Sequence, residues 1–293
     1  MIRPEDILAI KDLSLAARQT IDGFMNGINK SSVKGPGLEF SQYRSYQPGD
    51  DLRWLDWKRY ARSDRYYIRE SEVETSISVR LLVDASRSMD HRDGAFTKID
   101  YARHLAAALA WLANSQGDAI GLYVFREGQV SSLPARKDAQ HLARTFHQLE
   151  AITPQGRIGD PINYQSIFLG EQRRELLIFI TDFYEQDGEI SKLLELLASL
   201  RHEVIVFHVM GRNELQGDYS GYSQVEDLET GEQMPVGAAM AGRDDYDERM
   251  RAWLAAVRMQ CLDRHIAYQL MRMDQPMDQA LRDFLKQRQQ ITG

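Results

Sequence analysis

A strand pattern that ends in a carboxylate is the feature that most constrains the fold of this chain. Residues 77–83 (Ile-Ser-Val-Arg-Leu-Leu-Val) are rich in β-branched and apolar side chains, and Asp84 follows them directly. Such a run is typical of a strand buried in a parallel sheet, where both faces are covered. We therefore expect Asp84 at the carboxyl end of a strand, where open α/β sheets bind their ligands.

The rest of the chain alternates between helical and strand-like patterns. Helices are predicted at residues 98–115, 139–149, 190–200, 246–263 and 277–289, and strands at 119–125, 129–133, 176–181, 203–209 and 266–271. This alternation predicts an α/β fold with a mostly parallel sheet, flanked by helices and joined by right-handed crossovers.

Three further segments lie outside that alternation. Residues 5–27 have helical apolar spacing, and residues 66–78 read as an extended strand that leads toward Asp84. Residues 211–244 predict a late β-hairpin insertion. The expected organisation is an N-terminal segment of residues 1–76, with a helix and an irregular part, followed by an α/β domain of residues 77–293.

Hydroxyl groups follow Asp84 at alternate positions, at Ser86 and Ser88. Oxygen ligands of this kind suit hard divalent cations, with Mg²⁺ favoured and Mn²⁺ or Ca²⁺ as alternatives. Because hydroxyls are neutral, the cation would keep net positive charge and open positions, and could accept an acidic side chain from a partner. The alternative is structural, since the same residue types cap helices and satisfy loop backbone groups.

The Asp-x-Ser-x-Ser pattern of Asp84, Ser86 and Ser88 resembles the first segment of the metal-ion-dependent adhesion site of von Willebrand factor A domains. The resemblance implies that two later loops complete the site, one with an Asp and one with a Thr. Asp182, after the strand at residues 176–181, is the candidate Asp.

The loop expected to supply the Thr, residues 153–160, departs from that pattern. It has Arg157 or Ile158 near the expected position. Thr153 or Asp160 could substitute as a ligand. Alternatively, Arg157 could place its guanidinium where a cation would otherwise lie.

A second resemblance covers more of the chain, from about residue 10 to residue 290. Residues 37–40 (Gly-Leu-Glu-Phe), 44–57 and 61–62 resemble the signature of the domain of unknown function 58 (DUF58) family, and Lys98 at a helix start is a further match. That family consists of von Willebrand factor A-like proteins commonly encoded beside MoxR-type AAA+ ATPases. The resemblance implies a non-enzymatic adaptor that binds such an ATPase, a client protein or both, in protein remodelling, complex assembly or metal-centre maturation.

Basic and aromatic residues alternate within residues 44–69, which hold seven Arg or Lys against four Asp. Arg and aromatic side chains favour protein interfaces, and they also stack on single-stranded nucleic acid. The chain as a whole carries a formal charge of -7, which disfavours a general nucleic-acid or anionic-membrane binder. We predict a partner surface at Arg53, Arg59 and Arg62. The alternative is that these side chains pair internally with nearby Asp residues.

Three common enzymatic motifs are absent from the sequence: the phosphate-binding loop, the nucleophile elbow and the dinucleotide fingerprint. The best enzymatic alternative is a magnesium-dependent phosphatase with Asp84 as nucleophile and Asp182 as a further ligand. That class usually has an Asp two positions after the nucleophile, where this chain has Ser86.

Few features of the sequence indicate the cellular compartment of the protein, and they agree with one another. A single cysteine, Cys261, rules out an intramolecular disulfide and fits a reducing compartment. The N-terminus lacks an apolar run of signal-peptide length, and the longest uncharged apolar run, residues 105–113, is too short to cross a bilayer. We expect a cytoplasmic protein without stable membrane insertion.

Overall fold

The apolar run before Asp84 forms an interior strand of a six-stranded sheet in the computed structural model of the chain. The structure describes residues 4–30, 43–45, 67–69, 77–168, 174–218, 224–226, 233–235 and 243–283. Six of the seven residues of the run Ser78–Asp84 are buried, as expected for a strand covered on both faces.

The described strands are β1 (Tyr43–Ser45), β2 (Tyr67–Arg69), β3 (Ser78–Asp84), β4 (Arg92–Asp93), β5 (Phe96–Thr97), β6 (Ala119–Arg126), β7 (Gln129–Arg136), β8 (Leu176–Thr181), β9 (Glu203–Met210), β10 (Gln224–Glu226), β11 (Gln233–Pro235) and β12 (Ala267–Arg272). The described helices are α1 (Pro4–Leu8), α2 (Leu13–Lys30), α3 (Lys98–Ser115), α4 (Ala139–Glu150), α5 (Gln165–Phe168), α6 (Glu189–Ser199), α7 (Arg212–Gln216), α8 (Arg243–Leu262) and α9 (residues 277–283). Short 3₁₀ turns span Arg87–Asp90 and Pro161–Tyr164.

The main sheet has the strand order β12-β9-β8-β3-β6-β7. Five of these strands run parallel, and β7 alone pairs antiparallel, with β6. Glu127 and Gly128 both have positive φ in the tight turn between β6 and β7, which matches the backbone twist of a two-residue hairpin. The predicted α/β class with a mostly parallel sheet is confirmed.

Helices cover both faces of the sheet. Val79, Ile178 and Phe207 face α3, where they line an apolar gap together with Leu109 and Leu112 of that helix.

Residues of the opposite parity, including Leu82, Phe179 and Val206, pack against Leu193 of α6 and Val257 of α8. Successive side chains of a strand point to opposite faces, so the two sets bury two separate halves of the core.

The N-terminal segment forms two helices, α1 and α2, and the prediction of one helix over residues 5–27 was wrong in this respect. Asp12 Oδ1 accepts hydrogen bonds from the backbone N–H groups of Ser14 (2.9 Å) and Leu15 (3.1 Å). These contacts start a new helix after Asp12, because a carboxylate satisfies the unpaired donors of a first helical turn.

The chain divides into two compact units, one of residues 1–27 with 76–293 and one of residues 28–75. Helix α1 and most of α2, which the sequence analysis grouped with residues 28–76, therefore belong with the sheet. In the smaller unit, β1 and β2 pair antiparallel with Arg44 opposite Ile68. Of the extended segment predicted at residues 66–78, the described part consists of β2 and the start of β3, which begins at Ser78.

The late insertion contains the predicted hairpin, formed by β10 and β11 in antiparallel pairing. The short helix α7 precedes it and was not predicted. None of the helices in the described part of the chain combines the length and apolar character needed to cross a bilayer.

A buried ion pair lies within the sheet. Arg80 of β3 places its Nε 2.8 Å from Glu175 Oε2, and both side chains are 4% exposed. Arg80 Nη1 also donates to the carbonyl of Ile167 at 3.1 Å, and its guanidinium lies 5.4 Å from the centre of the Tyr123 ring. The pair therefore ties β3 to the segment that enters β8.

We predict that Glu175→Ala lowers the free energy of unfolding by about 3–5 kcal/mol, because it leaves the Arg80 charge buried and uncompensated. Urea denaturation followed by circular dichroism measures the loss. The double variant Arg80→Met, Glu175→Leu should recover most of it, since it removes both charges. A loss below about 1 kcal/mol for the single change would contradict this account.

Candidate functional site

Two carboxylates meet at the carboxyl edge of the sheet. Asp84 is the last residue of β3, and Asp182 follows β8 directly. Because β3 and β8 are adjacent and parallel, their ends lie side by side. Both side chains are buried, with 0% exposure for Asp84 and 2% for Asp182.

Two serine hydroxyls join these carboxylates. The hydroxyl oxygens of Ser86 and Ser88 lie 3.0 Å apart, and Ser88 donates to Asp182 Oδ1 at 3.1 Å. The backbone N–H of Ser86 donates to Asp84 Oδ1 at 2.9 Å. The structure thus brings together Asp84, Ser86, Ser88 and Asp182, which we call the strand-end site; their role as metal ligands stays a prediction.

Thr181 contributes a third hydroxyl that the sequence analysis missed. Its Oγ1 donates to Asp84 Oδ2 at 2.6 Å and accepts from the backbone N–H of Phe183 at 3.2 Å. The available signal was its position as the last residue of a predicted strand, directly before Asp182. Both carboxylate oxygens of Asp84 therefore accept hydrogen bonds from neutral groups.

The two carboxylates differ in their electrostatic surroundings. Burial, together with the negative charge of Asp182, raises the pKa of Asp84 to about 7, against the opposing hydrogen bonds from Ser86 and Thr181. Burial would also raise the pKa of Asp182, but the ammonium of Lys98 and hydrogen bonds from Tyr184 and Ser88 lower it overall. Asp182 is thus the permanent anion of the pair.

Lys98 supplies the positive charge at this site. Its Nζ lies 2.8 Å from Asp182 Oδ2 and 2.6 Å from Glu214 Oε1, and its side chain is 5% exposed. Burial alone would lower the pKa of Lys98, but the two carboxylates raise it above its ordinary value. The side chain therefore stays charged while buried.

The signal for this role was present in the sequence but unused. Lys98 is the first residue of α3, after the N-cap Thr97 in a capping box with Asp100. A cation in the first turn of a helix opposes the helix dipole, so its placement there indicates an acidic partner from elsewhere in the fold. Glu214 in the insertion could not be paired with Lys98 from sequence spacing alone.

The loop expected to supply a further ligand does contact the site, through its backbone. Gln155 N–H donates to the carbonyl of Ala85 at 2.9 Å, and Arg87 N–H donates to the carbonyl of Gly156 at 2.8 Å. Gly156 has a φ of +60°, and a Cβ there would lie 2.9 Å from Glu127 Cα, so the close packing of this loop requires glycine.

The side chains proposed from this loop bond elsewhere. Thr153 Oγ1 accepts from Arg126 Nη1 at 3.0 Å, and Asp160 Oδ1 accepts from Ile162 N–H at 3.0 Å as the cap of a 3₁₀ turn. Arg157 reaches Asp187 Oδ2 at 3.3 Å. The cationic group beside Asp182 is the ammonium of Lys98, and the guanidinium of Arg157 lies beside Asp187 instead.

Arg53, Arg59 and Arg62, the predicted partner-binding residues, lie outside the described residues.

Three oxygens of the strand-end site lie at hydrogen-bond distances that are also compatible with ligands of a hard divalent cation. In an octahedral Mg²⁺ site with bonds of about 2.1 Å, neighbouring ligand oxygens lie about 3.0 Å apart. The observed separations are 3.0 Å between the two serine oxygens and 3.1 Å from Ser88 Oγ to Asp182 Oδ1. Lys98 bonds the other oxygen of Asp182, which leaves Oδ1 on the serine side. The residues present therefore fit Mg²⁺ or Mn²⁺.

The site lies in the part of the chain that matches a known family. The family model described as "Protein of unknown function DUF58" matches residues 42–255. Uncharacterized protein Rv1480 of Mycobacterium tuberculosis is 30% identical over 259 residues, which is 87% of this chain and 80% of that protein. Uncharacterized protein Mb1516 of Mycobacterium bovis matches with the same values.

Among solved structures, the chain is similar to the conserved hypothetical protein BatB from Bacteroides thetaiotaomicron. That match has 17% identity and a TM-score of 0.48, and it covers 72% of this chain and 98% of that one. The chain is also similar to the SpRpn10 VWA domain, with 13% identity and a TM-score of 0.38 over 73% of this chain and 95% of that one.

We predict that Lys98→Met lowers the free energy of unfolding by about 3 kcal/mol or more in the presence of a chelator, because it leaves two carboxylates without their ammonium. Urea denaturation measures the effect. Lys192→Met, which removes an exposed lysine of α6, is the matched control and should cost less than about 0.5 kcal/mol. Equal stability of the two variants would show that the buried ion pair contributes nothing.

Proposed function

The chain belongs to the DUF58 family, and from this premise we propose that it is a non-enzymatic protein-binding adaptor. Its strand-end site would hold Mg²⁺ through Asp84, Ser86, Ser88 and Asp182. The bound cation would offer open positions to an acidic side chain of a partner protein.

The observation that carries this proposal is the close grouping of two hydroxyls and a carboxylate oxygen at ligand spacing, backed by a second carboxylate. The charges support it as well. Asp84, Asp182 and Glu214 carry three formal negative charges when ionised, and Lys98 carries one positive charge. A divalent cation would neutralise the remainder and hold Asp84 in its ionised form.

The donor set favours Mg²⁺ over softer metals. The side chains of the strand-end site offer oxygen atoms only, from Asp84, Ser86, Ser88 and Asp182. Zinc and copper prefer imidazole and thiolate ligands, whereas hydroxyl and carboxylate oxygens suit Mg²⁺, Mn²⁺ or Ca²⁺.

The partner that we propose is a MoxR-type AAA+ ATPase, its client protein or both, as the family resemblance implies. In this role the chain would help to remodel, assemble or metallate other proteins. Arg53, Arg59 and Arg62 would form a second contact surface that works independently of the metal. This assignment rests on family analogy, and the residues of the strand-end site support only the acidic chemistry of the contact.

The phosphatase alternative has less support. A phosphatase with Asp84 as nucleophile would also need a general acid beside it. A catalytic acid two positions later is replaced by Ser86.

We predict saturable binding of Mg²⁺ and Mn²⁺ by the chelator-treated protein in isothermal titration calorimetry. Asp84→Ala and Ser88→Ala should each weaken it at least about tenfold, because each removes an oxygen donor. Asp187→Ala removes an exposed carboxylate outside the site and is the matched control. Unchanged heats in Asp84→Ala would contradict the metal assignment.

We also predict that binding to the purified MoxR-type ATPase falls at least about tenfold in Asp84→Ala or on addition of a chelator, since both remove the cation that receives the partner's carboxylate. Surface plasmon resonance measures this affinity. The charge-reversed pair Arg59→Glu, Arg62→Glu tests the second surface, with circular dichroism to confirm folding. If the Arg pair variant lost binding while Asp84→Ala and the chelator left it unchanged, the metal-bridged contact would be contradicted. The Arg surface would then be the contact with the ATPase.

A further inference from the structure

A cavity of about 560 Å³ opens beside the strand-end site. Its charged lining residues are Lys98, Asp182, Glu185 and Glu214. This volume lies within the range of about 300–1,000 Å³ that is typical of ligand-binding pockets. The cavity therefore has room for a ligand group separate from the cation.

The charged side chains of the lining carry excess negative charge. They comprise three carboxylates and one ammonium, and that ammonium already bonds Asp182 and Glu214. Glu185 is held in place by Ser191, whose backbone N–H and hydroxyl both donate to its carboxylate. If a cation neutralised Asp84 and Asp182, Glu185 and Glu214 would still outnumber Lys98. The charges therefore favour a cationic ligand and repel an anionic one.

Apolar and aromatic side chains also line the cavity. Met210, Met250 and Val257 line it together with Trp253. Trp253 is 37% exposed, and its ring meets His208 edge to face with the ring centres 5.3 Å apart. An aromatic face attracts a nearby cation, and the aliphatic lining suits an alkyl stem.

We propose that this cavity binds an arginine side chain presented by the protein partner. The guanidinium would meet the carboxylates and stack on Trp253, while its methylene stem would pack against Met250. A planar guanidinium suits paired carboxylates and aromatic rings better than the compact ammonium of lysine. The inference rests on the proposed function, because the bearer of the arginine is the partner that docks at the strand-end site.

Three peptides of matched size test the proposal: N-acetyl-Gly-Arg-Gly-amide, its neutral citrulline analogue and its glutamate analogue. Each is titrated into the full chain by calorimetry with a chelator present, so the result does not depend on the metal. The arginine peptide should bind saturably, with the citrulline peptide at least about tenfold weaker. Equal affinity for arginine and citrulline, preference for glutamate, or no saturable binding of the arginine peptide would overturn the proposal.

Variants locate the binding. Met250→Lys places a cation in the cavity and should weaken arginine-peptide binding at least about tenfold. Met259→Lys on the same helix, at a side chain that is 54% exposed and outside the cavity lining, is the matched control. Trp253→Ala should also weaken binding, and Trp253→Phe should restore part of it. Binding that survives Met250→Lys in a folded protein would place the peptide elsewhere and contradict the proposal.

The outcome is separate from that of the metal titration. Failure of the peptide experiment with an intact Mg²⁺ site would remove the arginine pocket and leave the adaptor proposal standing. Binding of the arginine peptide by a protein without cation affinity would support the arginine pocket and contradict the metal-bridged contact.

Discussion

Two carboxylates buried at the ends of neighbouring parallel strands repel each other, and the surroundings of the site are arranged around that repulsion. Lys98 holds Asp182 in its ionised form through a 2.8 Å contact. Asp84 accepts hydrogen bonds from Ser86 and Thr181, which are neutral donors, and its pKa is raised to about 7 by burial and by the charge of Asp182. A divalent cation between the serines and the carboxylates would remove this imbalance.

The same charges extend into the late insertion. Glu214 of α7 bonds Lys98 and also accepts from the backbone N–H of Gly211 at 2.9 Å. Its neighbour Asn213 donates to the carbonyl of Arg92 at 2.9 Å, which connects α7 to β4. Asp182, Lys98 and Glu214, which line the cavity, therefore share one network of ion pairs with the strand-end site. A partner that contacts the cation would lie next to the cavity that we assign to arginine.

Local signals in the sequence were sufficient for much of this site. The strand patterns predicted β3 and β8, and the resemblance to the metal-ion-dependent adhesion site singled out Asp182. The parallel pairing of the two strands is what brings Asp84 and Asp182 to one edge. Ser86 and Ser88 followed from their spacing after Asp84.

Local sequence patterns could not predict the features that depend on tertiary contacts. The pairing of Lys98 with Glu214 joins residues that are far apart in the chain, and it depends on the fold of an insertion without strong periodicity. The break between α1 and α2 rests on one cap, Asp12, inside an apolar pattern that continues across it. The loop at residues 153–160 approaches the site through its backbone, so side-chain type there was a poor guide to ligands.

The most direct test of the central claim is the anomalous scattering of manganese in crystals grown with Mn²⁺. The account predicts a peak within about 2.3 Å of a side-chain oxygen of each of Asp84, Ser86, Ser88 and Asp182, with Lys98 still on Asp182 Oδ2. A map with no peak at this position, and with the serine and aspartate hydrogen bonds unchanged, would contradict it. The strand-end site would then be a buried polar network closed by its own lysine.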